Sequence, residues 1–120
     1  MAVKHVDEIP MTQVGVGQKV FKQVLIGPDV GPHFAMRRFI IEPGGYMPTH
    51  TNEVEHEQYV LSGRARISIG GEEFEVGPGD VVFIPAKVPH RYRTIGDVPF
   101  VFICVVPNLE DKVVILEPEG

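Results

Sequence analysis

Three histidines, His50, His56 and His90, are the residues of this chain best suited to chemistry, and each is bracketed by glycine and proline. The first stretch runs from Gly44-Gly45-Tyr46-Met47-Pro48-Thr49-His50 through Asn52 and Glu55 to His56 and closes on Gly63. The second runs from Gly79-Asp80 through Pro85-Ala86-Lys87-Val88-Pro89 to His90. Neutral imidazole is the commonest protein ligand for late first-row metals, and a three-histidine set leaves coordination positions open. Together the two stretches read as one metal site. His5, near the N-terminus, and His33, after Gly31-Pro32, lack such a setting and read as surface residues.

The elements that must position these residues are strands punctuated by turns, with no sustained helical periodicity. Lys19–Ile26, Ala35–Glu42, Glu57–Leu61, Arg64–Ile69 and Glu72–Val76 read as strands, as do Val81–Ile84, Arg91–Ile95, Phe100–Val106 and Lys112–Leu116. Pro43-Gly44-Gly45 reads as a turn into the first histidine stretch, Gly70-Gly71 as a hairpin, and Gly77-Pro78-Gly79-Asp80 as a type II turn. Many short strands at near-regular spacing imply an antiparallel all-β sandwich or barrel. Period two places His50, Asn52 and His56 on one parity, joined by Gln58, and gives His90, Tyr92 and Thr94 a shared face. Glu55 and Glu57 fall on the opposite parity and are expected at solvent or at an interface; Lys87 reads as a surface lysine beside the His90 loop.

Composition narrows the function. The chain has 120 residues, 43% of them hydrophobic and 22% charged, which suits a single domain with its own core. A net charge of −5 argues against nucleic acid, because phosphate binding needs clustered Lys and Arg. Arg37-Arg38 and Arg91-Tyr92-Arg93 are short and separated, and read as solvated strand faces. The single cysteine, Cys104, makes no intrachain disulfide, and neither an apolar leader nor a membrane-length apolar run is present, so a cytoplasmic protein without a membrane role is expected. Phe100–Val106 is apolar on both faces, which implies cover on both sides. The cover would be the N-terminal segment folding back or a second subunit, and a homodimer is the expectation.

Both histidine stretches resemble the paired motifs of the cupin superfamily. Gly44, His50, Gly63, Gly79, Pro85 and His90 fall on that pattern; Asn52 replaces its second histidine, His56 stands where glutamate is usual, Lys87 replaces a glycine and Thr94 an asparagine. The chain is most similar to small single-domain bacterial cupins in which four histidines bind manganese. The resemblance implies a jelly-roll β-barrel (the double-stranded β-helix) over residues 34–107, with residues 1–33 packed outside it or on a partner. It further implies one divalent metal per chain held by His50, His56 and His90, with Asn52, in place of the second histidine, either a fourth ligand through its amide oxygen or a hydrogen-bonder behind the ligands; manganese or iron is favoured and zinc, nickel or copper possible. The metal would favour a small and anionic substrate, with Gln58, Tyr92 and Cys104 in the pocket and Tyr92 and Cys104 as candidate catalytic groups. Cys104 occupies a strand where similar proteins carry a cysteine near the metal. A metal-dependent oxygenase is the first functional reading, a non-redox isomerase or hydrolase the second, and a binding module without turnover the third.

Overall fold

The computed structural model describes residues 2–116. The strands are β1 (Thr12–Gln13), β2 (Gln18–Ile26), β3 (Phe34–Thr51), β4 (His56–Ser62), β5 (Arg64–Ile69), β6 (Glu72–Val76), β7 (Val81–Ile84), β8 (His90–Ile95), β9 (Phe100–Pro107) and β10 (Val114–Ile115). The one helical element among the described residues is a 3₁₀ turn, Val6–Glu8, and no helix is long and apolar enough to cross a membrane. All pairings are antiparallel. The curled sheet runs β6-β5-β8-β3-β9-β4-β7, with β2 and β10 also on β3, the antiparallel jelly-roll barrel expected from the sequence.

β3 holds this arrangement together. Its first half, Phe34–Ile41, pairs with β9 on one edge and β2 on the other; beyond a bend, Tyr46–His50 pairs with β8, and His50–Thr51 with β10. The bend is at Pro43-Gly44-Gly45, which corrects the turn expected there: the chain bulges and continues as the same strand. Opposite it the register jumps from Val20↔Ile41 to Gln18↔Tyr46, so extra residues are looped out of the ladder. Gly44 has φ +80°, and a Cβ on Gly45 would meet Gln18 O and Glu42 O at 2.8 Å, so side chains are excluded where the backbones close on each other. Proline and glycine are compatible with either a turn or a bulge, and pairing partners on both sides decide for the bulge.

Most other strands lie within a residue of expectation, because period-two burial is strong. In β8, His90, Tyr92 and Thr94 are buried while Arg91 and Arg93 are exposed; in β5, Ala65 and Ile67 are buried. Gly70 and Gly71, at φ 60° and 86°, make the β5–β6 hairpin with both central residues left-handed. The Gly77–Asp80 turn closes with Asp80 N–H on Gly77 O, and the Asp80 carboxylate accepts from Gly77 N–H at 2.8 Å. The stretch expected at Lys112–Leu116 shrinks to β10, whose ladder on β3 is confined to the pairs Val114↔Thr51 and Ile115↔His50.

An aromatic column forms the floor of the barrel. Phe39 stacks on Phe102 (centroids 5.3 Å), Phe102 on Tyr92 (5.4 Å), and Tyr92 meets the edge of His90 at 5.8 Å. The core thus ends in the face that carries the histidines. On the outside, the β4–β7–β9 surface is apolar and uncovered among the described residues: Val81 is 77% exposed, Phe83 55%, Tyr59 49% and Leu61 43%.

Candidate metal centre

The two histidine stretches meet. His50 lies at the far end of β3 directly across from His90, the first residue of β8, and their rings are 4.2 Å apart. His56 opens β4, with its ring 5.9 Å from that of His90. Asn52 follows β3, and all four side chains are buried. The loop before His90 is tied to the first stretch by Lys87 N–H, which donates to Asn52 O at 2.7 Å. Lys87, at the glycine position of the motif, keeps the glycine conformation with φ 67°. A non-glycine residue held there carries local strain of about 1–3 kcal/mol, sustained by the contacts around it.

Each donor is oriented from behind. His50 Nδ1 faces Pro48 O at 2.7 Å and His90 Nδ1 faces Val88 O at 2.9 Å, in both cases a carbonyl two residues upstream. A carbonyl only accepts, so Nδ1 carries the proton and Nε2 keeps its lone pair for the cavity. His56 Nδ1 lies 3.3 Å from Cys104 Sγ, leaving its Nε2 inward as well. The Asn52 amide is set by Asp111: Asn52 Nδ2 donates to Asp111 Oδ2 at 2.9 Å, so Oδ1 turns away from the carboxylate. His56 Nε2, His90 Nε2 and Asn52 Oδ1 are buried without a hydrogen-bond partner. A buried polar atom left unpaired costs about 1–3 kcal/mol. Three around one cavity make a set that fits a cation. Among the described residues no three His, Cys, Asp or Glu side chains already close on one point at metal-bonding geometry. The fourth side chain of the cluster, Asn52, offers an amide oxygen.

Burial keeps these imidazoles neutral. Desolvation, aided by the Arg37 charge, lowers His56 to about 3; desolvation and the neighbouring His50 lower His90 to about 4; His50 is also lowered, mainly by burial. His56 and His90 therefore stay neutral below the ordinary histidine range.

A cavity of about 140 Å³ opens onto the donors. Its wall includes Gln58 and Tyr92, together with Phe39, Met47, Lys22, Arg37 and Asp111, which sequence reasoning missed. Arg37 shares the parity of buried Ala35, Phe39 and Ile41 and points inward, which corrects its expected place on a solvated face; that alternation is the available signal. Arg38 faces the other way and donates to Gln23 Oε1 at 2.7 Å. Gln58 Nε2 donates to the Tyr92 hydroxyl at 2.7 Å, and burial drives the phenol pKa far up, so Tyr92 keeps its proton. Cys104 is absent from the cavity wall: it sits behind His56, fully buried, with Arg37 Nη2 at 3.4 Å and Gln58 Nε2 at 3.7 Å from its sulfur. Burial raises the thiol pKa. His5, His33, Glu55, Glu57 and Lys87 are all exposed, as expected.

The cupin domain family matches residues 37–106, which run from within β3 to within β9 and include every histidine of the cluster. The chain is a cupin. Among solved structures this cupin is similar to the polyketide cyclase RemF from Streptomyces resistomycificus, at 29% identity and a TM-score of 0.87, covering 99% of this chain and 89% of that one. Oxalate decarboxylase OxdC of Bacillus subtilis is 35% identical over 93 residues, 72% of this chain and 24% of the relative. Dimethylsulfoniopropionate lyase DddQ of Ruegeria pomeroyi is 33% identical over 96 residues, 78% of this chain and 47% of the relative. The cupin thus spans under half the length of these two curated relatives. Their names cover unlike reactions, so the family alone assigns none.

The Asp111–Asn52 contact predicts that Asp111→Ala weakens Mn²⁺ or Co²⁺ binding about tenfold, the usual cost of losing a group that orients a ligand. Asn52→Ala should weaken it comparably, and the double variant should lose little more. Calorimetric titration of the three variants checks this, and unchanged affinity in Asp111→Ala would sink it.

The histidine shifts set a second expectation, for metal-free protein. Below about pH 6.5 the unfolded chain takes up protons on these histidines; folded His90 and His56 resist until about 4 and 3. The unfolded state binds more protons in that window, so the stability is fully present above 6.5 and lost as pH falls. Urea midpoints should drop between pH 7 and 5, by less in His56→Gln; identical slopes would refute it.

Proposed function

We propose that this cupin is an enzyme that binds one divalent transition metal on His50, Asn52, His56 and His90. It would use the metal for a non-oxidative rearrangement of a small organic substrate, of the lyase, cyclase or decarboxylase kind. The observation that carries the reading is the set of buried, unpartnered inward donors: His56 Nε2, His90 Nε2 and Asn52 Oδ1. A neutral set of three nitrogens and one amide oxygen suits Mn²⁺ or Fe²⁺, while zinc, nickel and copper bind imidazole more tightly, so the ion found after purification follows supply as much as fit. Bound there, the ion would supply Lewis acidity toward substrate oxygens.

The chain's own residues would do the rest. Pro48 O and Val88 O hold the His50 and His90 tautomers, and Asp111 holds the Asn52 amide, so the donors are set before substrate arrives. Tyr92 stays a neutral phenol on the cavity wall, positioned by Gln58, and would donate a hydrogen bond to a substrate oxygen. Cys104, enclosed by Arg37, Gln58 and His56, would act as an acceptor that steadies the His56 ring. The names of the relatives, a cyclase, a decarboxylase and a lyase, favour bond rearrangement over the oxygenase reading, which the same donor set could also serve.

The test begins with metal content in native protein and in His56→Ala, purified without affinity tags or chelators. A stoichiometric metal in the first and its loss in the second are expected, followed by turnover of small organic acids undiminished under nitrogen. Oxygen uptake coupled to turnover would restore the oxygenase; a native protein that cannot be loaded would overturn the metal reading.

We infer also that two copies pair through the outer β4–β7–β9 face, where Tyr59 lies across from both Val81 and Ile103 and an apolar patch forms with Leu61 and Phe83. Val81→Lys combined with Phe83→Lys should convert a sedimenting dimer to a folded monomer. A native protein already monomeric at micromolar concentration would end this inference.

A further inference from the structure

Two cations face the same cavity as the four donors, and neither has a carboxylate partner among the described residues. Lys22 on β2 and Arg37 on β3 are diagonal neighbours on the inward face, since Lys22 pairs with Phe39 and Val24 with Arg37. The Arg37 guanidinium meets only weak partners: Nη2 donates to Cys104 Sγ at 3.4 Å, and the group lies 5.1 Å from the Phe39 ring centre. Its Nε is buried and unpartnered. The one acidic side chain on the wall, Asp111, is already committed, with Oδ2 on Asn52 Nδ2 at 2.9 Å and Oδ1 on Glu53 N–H at 2.6 Å.

Holding cations close together without a counter-ion is unfavourable. Burial and the Arg37 charge do lower the Lys22 pKa. A guanidinium with a free N–H beside an ammonium is the arrangement that recognises a carboxylate, with its fork pre-formed. We propose that Arg37 and Lys22 bind the carboxylate of the substrate, and that the substrate is a small organic acid reaching the His50/Asn52/His56/His90 end of the cavity with a second oxygen. The position of that second oxygen rests on the metal-enzyme reading above; the carboxylate site does not. The two ends are close, because Arg37 Nη2 and His56 Nδ1 both contact Cys104 Sγ, at 3.4 and 3.3 Å. A cavity of about 140 Å³ is close to one known to hold a benzene-sized guest, which limits the enclosed part of the acid to about six to eight non-hydrogen atoms.

The probe is malonate, titrated calorimetrically into native protein, chelator-treated and Mn²⁺-loaded, and into Arg37→Gln, Arg37→Lys and Lys22→Gln. Losing a charged hydrogen bond should weaken malonate binding about tenfold or more in Arg37→Gln. Arg37→Lys, which keeps the charge but loses the fork, should fall between, and Lys22→Gln should weaken binding severalfold. These losses should appear with and without Mn²⁺, the metal content of the variants should match the native protein, and malonamide should not bind. If Arg37→Gln fails to fold, Arg37→Lys and the surface-proximal Lys22→Gln decide the matter. Arg37-dependent malonate binding in a protein that takes up no metal supports the carboxylate site while the metal reading falls. Malonate binding that needs Mn²⁺ but ignores Arg37 and Lys22 overturns the carboxylate site and leaves the metal reading standing. Absence of malonate binding in every form also overturns it.

Discussion

An eighteen-residue strand in a twisted sheet cannot stay against one pair of neighbours along its whole length. β3 resolves this by looping out Pro43-Gly44-Gly45, which lets it exchange β9 for β8 without ending, while β2 spans the bend to Tyr46 and β10 pairs from His50. The exchange makes the site possible. Before the bend, β3 supplies core residues such as Phe39 and Ile41, together with Arg37; after it, the same strand supplies His50, now beside His90. Arg37 and His50, which share one cavity, thus come from opposite halves of one strand. Their separation is fixed by a bulge rather than by a flexible loop.

Electrostatically the cavity is graded rather than uniform. The imidazoles are held neutral by burial, with Nδ1 of His50 and His90 turned to Pro48 O and Val88 O and that of His56 to Cys104 Sγ, on the far side. Arg37 and Lys22 hold positive charge at one wall, and Asp111 holds negative charge at another, bonded to Asn52 and Glu53. Arg37 contributes at both ends of this gradient, because its charge also helps to depress His56. A protein of net charge −5 therefore presents a locally cationic interior, and whole-chain charge predicts little about what enters it.

Much of this was legible in the chain, for identifiable reasons. Alternation at period two is strong in His56–Val60 and His90–Thr94, so the shared faces of His56 with Gln58 and of His90 with Tyr92 could be read directly. The β3 bend looks like a turn in sequence because glycine and proline mark both, and only long-range pairing separates them. Arg37-Arg38 offered a better signal than was taken: adjacent residues on a strand cannot both face solvent when one side is core. The setting of Asn52 could not be read at all, since it depends on Asp111, fifty-nine residues on, in a stretch without periodicity. The buried position of Cys104 behind His56 was likewise beyond a parity argument, which gives a face and not a depth.

β10 adds only two residue pairs to β3, and Leu116 N–H on Thr49 O extends the contact by one bond. So short a ladder, with its side chains exposed, belongs at the low-stability end of a native protein's local openings. Yet it flanks His50, and the segment leading into it carries the carboxylate that aims Asn52. Thermodynamic reciprocity then applies: any occupant that gains affinity from an oriented Asn52 must return the same free energy as tighter docking of the tail. Amide exchange along Val114–Leu116 is therefore a remote gauge of occupancy, reading the interior of the barrel from a strand on its rim.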